Sequence, residues 1–165
     1  METPMKLFRF RRFQNERERL FESALTDTPQ KDVAPEQMNP LVLAYIGDAY
    51  FSLYVRTRMV AYEKNKMQAL HAVDAKIVSA SMQAVACRAI EEELTDTERE
   101  VLRRGRNAKS QVPKSATVGE YRASTAFEAI LGYWYLKGDM TRLDEMAGKA
   151  FRAILTAMNE EREGN

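Results

Sequence analysis

The chain has 165 residues, of which 45% are hydrophobic and 30% charged, with only seven glycines and five prolines. These proportions predict a helical globular protein with a real core, and they exclude a disordered or fibrous chain. The 25 basic and 24 acidic residues nearly cancel, so net charge gives no support for a polyanionic partner and only local clusters can. The single cysteine, Cys87, excludes an internal disulfide and a cysteine-built metal site, and it fits a reducing compartment.

The chain shows no signal for membrane insertion or export. It lacks a charge-free apolar run of about 18 residues, so we expect no membrane span. Its N-terminus lacks an apolar segment followed by a small-residue cleavage site, so it is not a secretory signal. The sequence therefore predicts a cytoplasmic protein.

The first 37 residues form a basic N-terminal extension, predicted to be partly helical or disordered. Five arginines at positions 9–19 are interleaved with phenylalanines, and a helix is expected at roughly 13–25. A linker to the next domain is expected around Pro29, Asp32 and Pro35. Two interpretations stay open: a mobile basic arm, or an arm that contacts phosphate or a partner subunit.

Residues 38–158 are predicted to form one all-helical domain, followed by a charged tail at 159–165. Asn39 and Pro40 are a favourable start for a helix to about Val60. A short helix follows around 67–73, and Asp74 is expected to cap the next one. Three further helices are predicted to open with capping boxes, and Gly138 to end the second of these three: Thr95 with Glu98 (through Arg104), Thr117 with Glu120 (to Lys137), and Thr141 with Asp144 (through Met158).

Two apolar helices each carry a single acid. The stretch 39–55 has only Asp48 as a charged residue, and 123–136 has only Glu128. Helical spacing predicts that each acid lies on a face that is buried, where an isolated carboxylate is costly. Two alternatives follow: each acid pairs with an arginine such as Arg88 or Arg122, or a divalent cation lies between the two acids.

A local basic excess lies between the two acids in the sequence. Positions 101–122 contain six basic residues and one acid, Glu120, and Gly105–Ala116 is predicted to be a loop. An acid pair on rigid helices beside a basic loop is a plausible metal-dependent phosphodiester site.

Three motifs give the chain a specific resemblance. Residues 43–49 read LAYIGDA, 104–110 read RGRNAKS and 121–133 read YRASTAFEAILGY. In this order they resemble Mini-ribonuclease III, a ribonuclease III endonuclease domain without the separate double-stranded-RNA-binding domain. The resemblance covers about 120 residues, roughly 39–158.

The resemblance implies a ribonuclease III-like helical fold, a twofold homodimer and Mg²⁺-dependent cleavage of double-stranded RNA, with Mn²⁺ as a substitute metal. It implies 5′-phosphate and 3′-hydroxyl ends, one cut per subunit, and precursor large-subunit ribosomal RNA as the substrate, cut in the stem where its ends pair. Asp48 and Glu128 match the catalytic, metal-binding acids of the family.

The acid cluster is leaner than in full-length ribonuclease III. That family has further acids where this chain has Leu41, Ala44 and Thr125. Mini-ribonucleases share these losses, so they indicate the subfamily. Mini-ribonucleases also commonly have a glutamate where this chain has Ser52.

Without a second RNA-binding domain, the basic loop is expected to hold the duplex through phosphates and 2′-hydroxyls. The RNA-binding candidates, with Arg106 and Lys109 ranked first, are Arg103, Arg104, Arg106, Asn107, Lys109 and Lys114.

His71 is predicted to cap or pack, and Cys87 to be a core thiol. Part of one aromatic set is expected at a subunit interface: Tyr45, Tyr50, Phe51, Tyr54, Tyr133, Trp134 and Tyr135.

Two rival functions remain. One is a non-catalytic RNA-binding or ribosome-associated protein with a degenerate ribonuclease III fold. The other, a helical phosphohydrolase acting on small nucleotides, lacks the clustered histidines common in such sites.

Overall fold

The structure, a computed structural model, describes residues 4–26 and 33–164. These residues form seven α-helices, one 3-10 turn and no strand, so the predicted all-helical fold is confirmed. The helices are α1 (Pro4–Thr26), α2 (Pro40–Val60), α3 (Met67–Ile77), α4 (Ala80–Glu91), α5 (Asp96–Asn107), α6 (Val118–Lys137) and α7 (Met140–Glu163), and the 3-10 turn is Pro35–Gln37.

The chain divides into two compact units, Met1–Val33 and Ala34–Asn165. In the first, α1 extends the helix expected at 13–25 in both directions. In the expected linker, Pro29 and Asp32 lie outside the described residues, and Pro35 opens the 3-10 turn.

Helix α6 is the centre of the second unit. Its residues 124–134 are buried except Glu128, because this helix is apolar on nearly all sides and packs against α2, α4 and α5. Phe127 of α6 meets Phe51 of α2 edge to face, with ring centroids 5.0 Å apart. Helix α7 packs on α4 and contributes a third layer to the same core.

Helices α2 and α6 approach each other through two glycines. A Cβ on Gly47 would lie 1.7 Å from the backbone oxygen of Glu128, and one on Gly132 would lie 1.9 Å from the backbone oxygen of Leu43. No larger residue fits at either position without separating the helices. This backbone-to-backbone contact fixes the relative position of the two helices that carry Asp48 and Glu128.

Several helix ends match their sequence signals. The Asn39 side chain accepts a hydrogen bond from the Leu41 N–H at 2.9 Å. The capping boxes at Thr95 and Thr117 are complete. In each, the threonine side chain accepts a hydrogen bond from the backbone N–H of the glutamate three residues later, and that glutamate side chain accepts one from the threonine backbone N–H. Gly138 ends α6 with φ of 78°, a left-handed conformation that glycine adopts without strain.

Other predicted boundaries are wrong. Asp74 does not cap α4: it lies inside α3, where its carboxylate pairs with Arg56, and Ser79 is the cap instead. Thr141 does not open α7, because Asp139, directly after the turn at Gly138, already caps it and accepts a bond from the Arg142 N–H.

Two helices are also longer than expected. Helix α5 runs through Asn107, so Gly105 to Asn107 are helical and the loop is 108–117. Gly105 continues the helix because it packs against the backbone of Ala126, with its hypothetical Cβ 2.9 Å from that Cα. Helix α7 continues five residues beyond Met158, to Glu163.

Within the described residues, no helix combines the length and the apolar character that crossing a bilayer requires.

Candidate active site

Asp48 and Glu128 lie on neighbouring turns of α2 and α6, where Gly47 touches the backbone of Glu128. Asp48 is exposed, so its predicted burial is wrong: the helix turns its buried side, at Ala44, Gly47 and Phe51, toward the core and leaves Asp48 at the edge. Glu128 is half-buried among otherwise buried residues of α6. One acid thus faces solvent while the other lies deeper behind it.

The Glu128 carboxyl group lies in the electrostatic field of Asp48. Burial is the main cause that raises the pKa of Glu128 to about 8, and the negative charge of Asp48 raises it further. A hydrogen bond from the amide of Gln83 opposes this shift. The site therefore places a poorly compensated carboxyl group beside a second acid.

Neither acid has a basic partner in the described part of the chain. Among the described residues, no Lys, Arg or His forms an ion pair with Asp48 or Glu128. Arg88 and Arg122, the partners considered above, are exposed side chains without such a contact. The negative charge of this acid pair is therefore not balanced by a neighbouring basic side chain among the described residues.

The donor set fits a hard cation that keeps part of its water shell. The described residues contain no cluster of three or more His, Cys, Asp or Glu side chains able to hold a metal ion. Two carboxylates without a basic partner suit Mg²⁺, which takes one or two carboxylates and completes its coordination with water and phosphate oxygens. Asp48 and Glu128 are the residues that would hold it.

Gln83 is a residue that the sequence analysis did not identify. It lies on α4 with a side chain only 2% exposed, and it is hydrogen-bonded to Glu128. A glutamine inside an apolar helical stripe, between Met82 and Ala84, was the available signal. Its amide lies beside the Glu128 carboxyl group and lowers the pKa of that group against the larger effect of burial.

The structure divides the predicted RNA-binding residues into two groups. In the first, each arginine has a partner within the protein. The half-buried Arg104 donates to the backbone oxygens of Glu36 and Met38, which ties α5 to the 3-10 turn. Arg106 forms a two-pronged pair with Glu91, with both N–O distances 3.2 Å.

Arg103 pairs with Glu100 of its own helix, but both side chains remain largely exposed. The second group comprises Asn107, Lys109 and Lys114, which are exposed and have no ion pair among the described residues. Their side chains are therefore available to a ligand.

Two further residues singled out in the sequence, Cys87 and His71, lie in different environments. Cys87 is fully buried in the core, as predicted, and burial raises its pKa. His71 is exposed on α3 and lines a cavity with Asp74.

The aromatic set divides between core and surface. Phe51, Tyr133 and Trp134 are buried, whereas Tyr45 is 77% and Tyr135 47% exposed.

The comparisons with known proteins agree with this geometry. The ribonuclease III domain family matches residues 41–139, a range that contains both acids and the basic loop. The chain therefore belongs to the ribonuclease III family.

Particular relatives identify the branch of that family. The chain is 47% identical over 118 residues to a Mini-ribonuclease 3 of Thermoanaerobacter sp. (strain X514), covering 71% of this chain and 83% of that protein. It is 42% identical over 134 residues to the Mini-ribonuclease 3 of Staphylococcus aureus, covering 79% of this chain and 97% of that protein.

The fold is similar to the crystal structure of protein FN1578 from Fusobacterium nucleatum. The TM-score is 0.63 at 28% identity, with 68% of this chain and 90% of that chain covered. The resemblance to Mini-ribonuclease III, and with it the prediction of an endoribonuclease, is confirmed.

Proposed function

We propose that this protein is a Mg²⁺-dependent endoribonuclease that cuts double-stranded RNA and leaves 5′-phosphate and 3′-hydroxyl ends. The observation that carries the proposal is the acid pair: Asp48 and Glu128 lie on two helices held together at Gly47, and no basic residue in the described part of the chain pairs with either acid. A structural acid is normally paired, whereas neighbouring acids without a basic partner favour the binding of an external cation.

Each group of the chain has a distinct task in this proposal. Asp48 is exposed and can reach a cation that arrives with the RNA. Glu128 is deeper, and the Gln83 amide lies beside its carboxyl group. A divalent cation at such a site supplies activation of water and neutralisation of charge on the phosphodiester, with Mn²⁺ able to replace Mg²⁺.

The test compares a long RNA duplex with single-stranded RNA of the same sequence, with and without Mg²⁺, and maps the product ends. Asp48→Asn and Glu128→Gln should each reduce cleavage at least about 10³-fold, because each removes a metal ligand. Duplex binding should change little. Glu92→Gln, which changes an exposed acid of the same unit, should retain full activity.

Full activity of Asp48→Asn under matched conditions would refute the proposal. A wild-type protein that binds the duplex and never cuts it, with either Mg²⁺ or Mn²⁺, would instead establish the non-catalytic RNA-binding alternative.

We also propose that the active form is a homodimer, formed through an apolar face of α2 and α6 beside Asp48. A groove of about 240 Å³ is lined by Ile46, Ala49, Tyr50, Leu53 and Tyr135. Leu53 is 63% exposed and Tyr45 77%, so this face of α2 presents large apolar side chains to solvent. If a second copy of the chain packed against this face about a twofold axis, the same apolar face would be covered on both subunits.

Leu53→Glu tests the interface, because a side chain exposed in the single chain can be changed without disturbing its fold. Wild type should have the mass of a dimer by sedimentation velocity, and Leu53→Glu that of a monomer with unchanged helical circular dichroism. Leu155→Glu, at a position 42% exposed on α7, is the control and should remain dimeric. A monomeric wild type at micromolar concentration would contradict the proposal.

For RNA contact, we propose that Asn107, Lys109 and Lys114 touch the backbone directly, with Arg103 at the margin. Arg106 and Arg104 position the loop through their bonds to Glu91 and to the 3-10 turn. Lys109→Ala should weaken duplex binding and reduce its salt slope by about one unit. Lys76→Ala, which removes a lysine paired with Glu161, should leave the slope unchanged.

The cellular substrate that we propose is precursor large-subunit ribosomal RNA, cut where its ends pair. The proposal rests on the family resemblance and on a loop suited to an RNA duplex rather than to a particular sequence. Depleting the protein should cause ribosomal RNA with extended ends to accumulate, and Asp48→Asn should fail to restore mature ends.

A further inference from the structure

Helix α1 has large aromatic side chains on its surface, close together in the first half of the helix. Phe8 is 69% exposed, Phe10 59% and Phe13 61%. Rings of this size normally lie in a core or an interface, because they carry a large apolar area. Three of them within six residues therefore indicate a surface that a binding partner covers.

The same half of α1 is strongly basic. Residues 4–15 contain no acid and four basic side chains, all of them exposed: Lys6, Arg9, Arg11 and Arg12. Arg12 pairs with Glu16, whereas the other three form no ion pair within the part of the chain that the structure describes. Such a concentration of unpaired positive charge favours a polyanion as the partner.

The second half of α1 differs in charge. Residues 16–26 contain two arginines and three acids, Glu16, Glu18 and Glu22. Phe21 is 69% exposed, the same fraction as Phe8, but it lines a surface groove together with Glu18 and Glu22. The two halves therefore present equally exposed rings in opposite electrostatic surroundings.

The positions of the rings distinguish a nucleic acid from other partners. Phe8 and Phe10 are two positions apart, which is about 200° around a helix of 3.6 residues per turn, so they lie on nearly opposite sides of α1. A membrane surface or a neighbouring helix covers one side of a helix. A single strand of RNA can bend around the helix and stack its bases on rings that face in different directions.

A duplex cannot use these rings, because its bases are already stacked inside the helix. We infer that the N-terminal half of α1 binds single-stranded RNA next to the duplex, with Arg9 and Arg11 on phosphates and Phe8 and Phe10 stacked on bases. The inference rests on the proposed function for the kind of substrate, because a stem within a longer precursor continues into single strands.

RNA binding by the full chain tests the inference. The protein carries Asp48→Asn and is kept in EDTA, so that the RNA stays intact, and fluorescence anisotropy gives the Kd. A blunt duplex is compared with the same duplex carrying a single-stranded extension of about ten nucleotides, within the roughly 4–16 that single-strand sites cover. The extension should lower the Kd at least about tenfold, because several bases gain stacking partners.

Phe8→Ala and Phe21→Ala are a matched pair of variants. Each removes an equally exposed ring from the same helix, and alanine favours the helical conformation. Phe8→Ala should raise the Kd of the extended duplex at least about fivefold, because a stacked base loses its partner, and should leave the blunt duplex unchanged. Phe21→Ala should change neither Kd.

Two double variants test the phosphate contacts. Arg9→Gln with Arg11→Gln should reduce the salt slope for the extended duplex by about 1.4, since each phosphate contact on a single strand contributes about 0.7. Arg17→Gln with Arg19→Gln is the control, because these arginines lie among the three acids of the second half, and it should leave the slope unchanged. Circular dichroism checks the helix content of all variants.

Equal affinity for the blunt and the extended duplex would overturn the inference, and so would equal losses in Phe8→Ala and Phe21→Ala. Co-sedimentation with phosphatidylserine vesicles that requires Phe8, without any gain from the extension, would assign α1 to a membrane surface instead. A wild-type protein that cuts duplexes but ignores the extension would overturn this inference alone. A gain from the extension without any cleavage by wild type would support it and refute the proposed endonuclease.

Discussion

Two carboxylates withdrawn from water, Glu98 of α5 and Glu128 of α6, have opposite environments. Burial alone would raise the pKa of Glu98, but hydrogen bonds from Arg142, the Thr95 N–H and the Trp134 indole outweigh it and lower the pKa to about 2. The indole Nε1 donates at 2.8 Å and the Arg142 Nη2 at 3.0 Å. Each oxygen of Glu98 is thus satisfied by the protein itself.

Glu128 has one hydrogen bond, from Gln83, and a second acid, Asp48, as its electrostatic neighbour. Its pKa is raised to about 8, in the opposite direction from Glu98. The difference separates an acid that stabilises the fold from one whose compensation has to come from outside the chain. The predictions below test this contrast, starting with the largest expected effect.

Gly47→Ala should disturb the acid pair most severely. The added Cβ would lie 1.7 Å from the Glu128 backbone oxygen, so α2 and α6 must separate. We expect the free energy of unfolding to fall by about 4 kcal/mol, measured by urea denaturation, because backbone cannot move aside as a flexible side chain does.

Gly119→Ala is the control, because a Cβ at Gly119 meets nothing within 4 Å. It should be neutral or slightly stabilising, since alanine favours helix. Equal stability of the two variants would show that α2 and α6 do not require this close approach.

Glu98→Ala should be the next most damaging change. It leaves the Trp134 indole N–H and the partly buried Arg142 without their shared acceptor, and it removes one half of a capping box. Breaking such a buried pair should lower the free energy of unfolding by about 3 kcal/mol.

Glu100→Ala changes an acid of the same helix whose ion pair with Arg103 is exposed. It should leave the free energy of unfolding close to that of wild type, because an exposed ion pair contributes little to stability. Similar losses in both variants would mean that Glu98 is no better anchored than a surface acid.

The sequence predicted those features that depend on residues close together in the chain. The pairs Thr95 with Glu98 and Thr117 with Glu120 predicted their helix starts because every bond of a capping box lies within four residues. The failures at Asp74 and Thr141 have a common cause: both had suitable local spacing, but a contact or turn elsewhere decided where the helix began.

The candidate site shows the same limit. A lone acid in an apolar helix drew attention to Asp48 and Glu128, and motif order identified the family. The exposure of Asp48 depends on how α2 packs, which spacing alone did not settle. The partners of Glu98 lie 36 and 44 residues away, and those of Arg104 lie 68 and 66 residues away. Such long-range contacts decide which charged residues are structural, and no local pattern encodes them.

Lowering the pH should gradually remove the contribution of Glu98 to the free energy of unfolding. The pKa of Glu98 in the folded state is about 2, below its ordinary value of 4.5, so its stabilisation is complete above about pH 4.5 and is lost as pH falls toward 2. The difference in free energy of unfolding between wild type and Glu98→Gln should decrease by about 2 kcal/mol between about pH 6 and pH 3. A constant difference across that range would show that the ionised form of Glu98 has no special stability.

The smallest expected effect is that of Glu128→Gln, which should stabilise the protein, whereas Gly47→Ala and Glu98→Ala destabilise it. In metal-free buffer near neutral pH, Glu128→Gln should raise the free energy of unfolding by about 1 kcal/mol, because Glu128, with its pKa raised to about 8, has to take up a proton on folding and glutamine does not. Added Mg²⁺ should stabilise wild type but not Glu128→Gln, since only the intact acid pair binds the cation in the native state. Glu92→Gln should match wild type in both buffers. If Glu128→Gln instead loses stability without metal, as Glu98→Gln should, then Glu128 is a structural acid and the contrast between the two carboxylates does not hold.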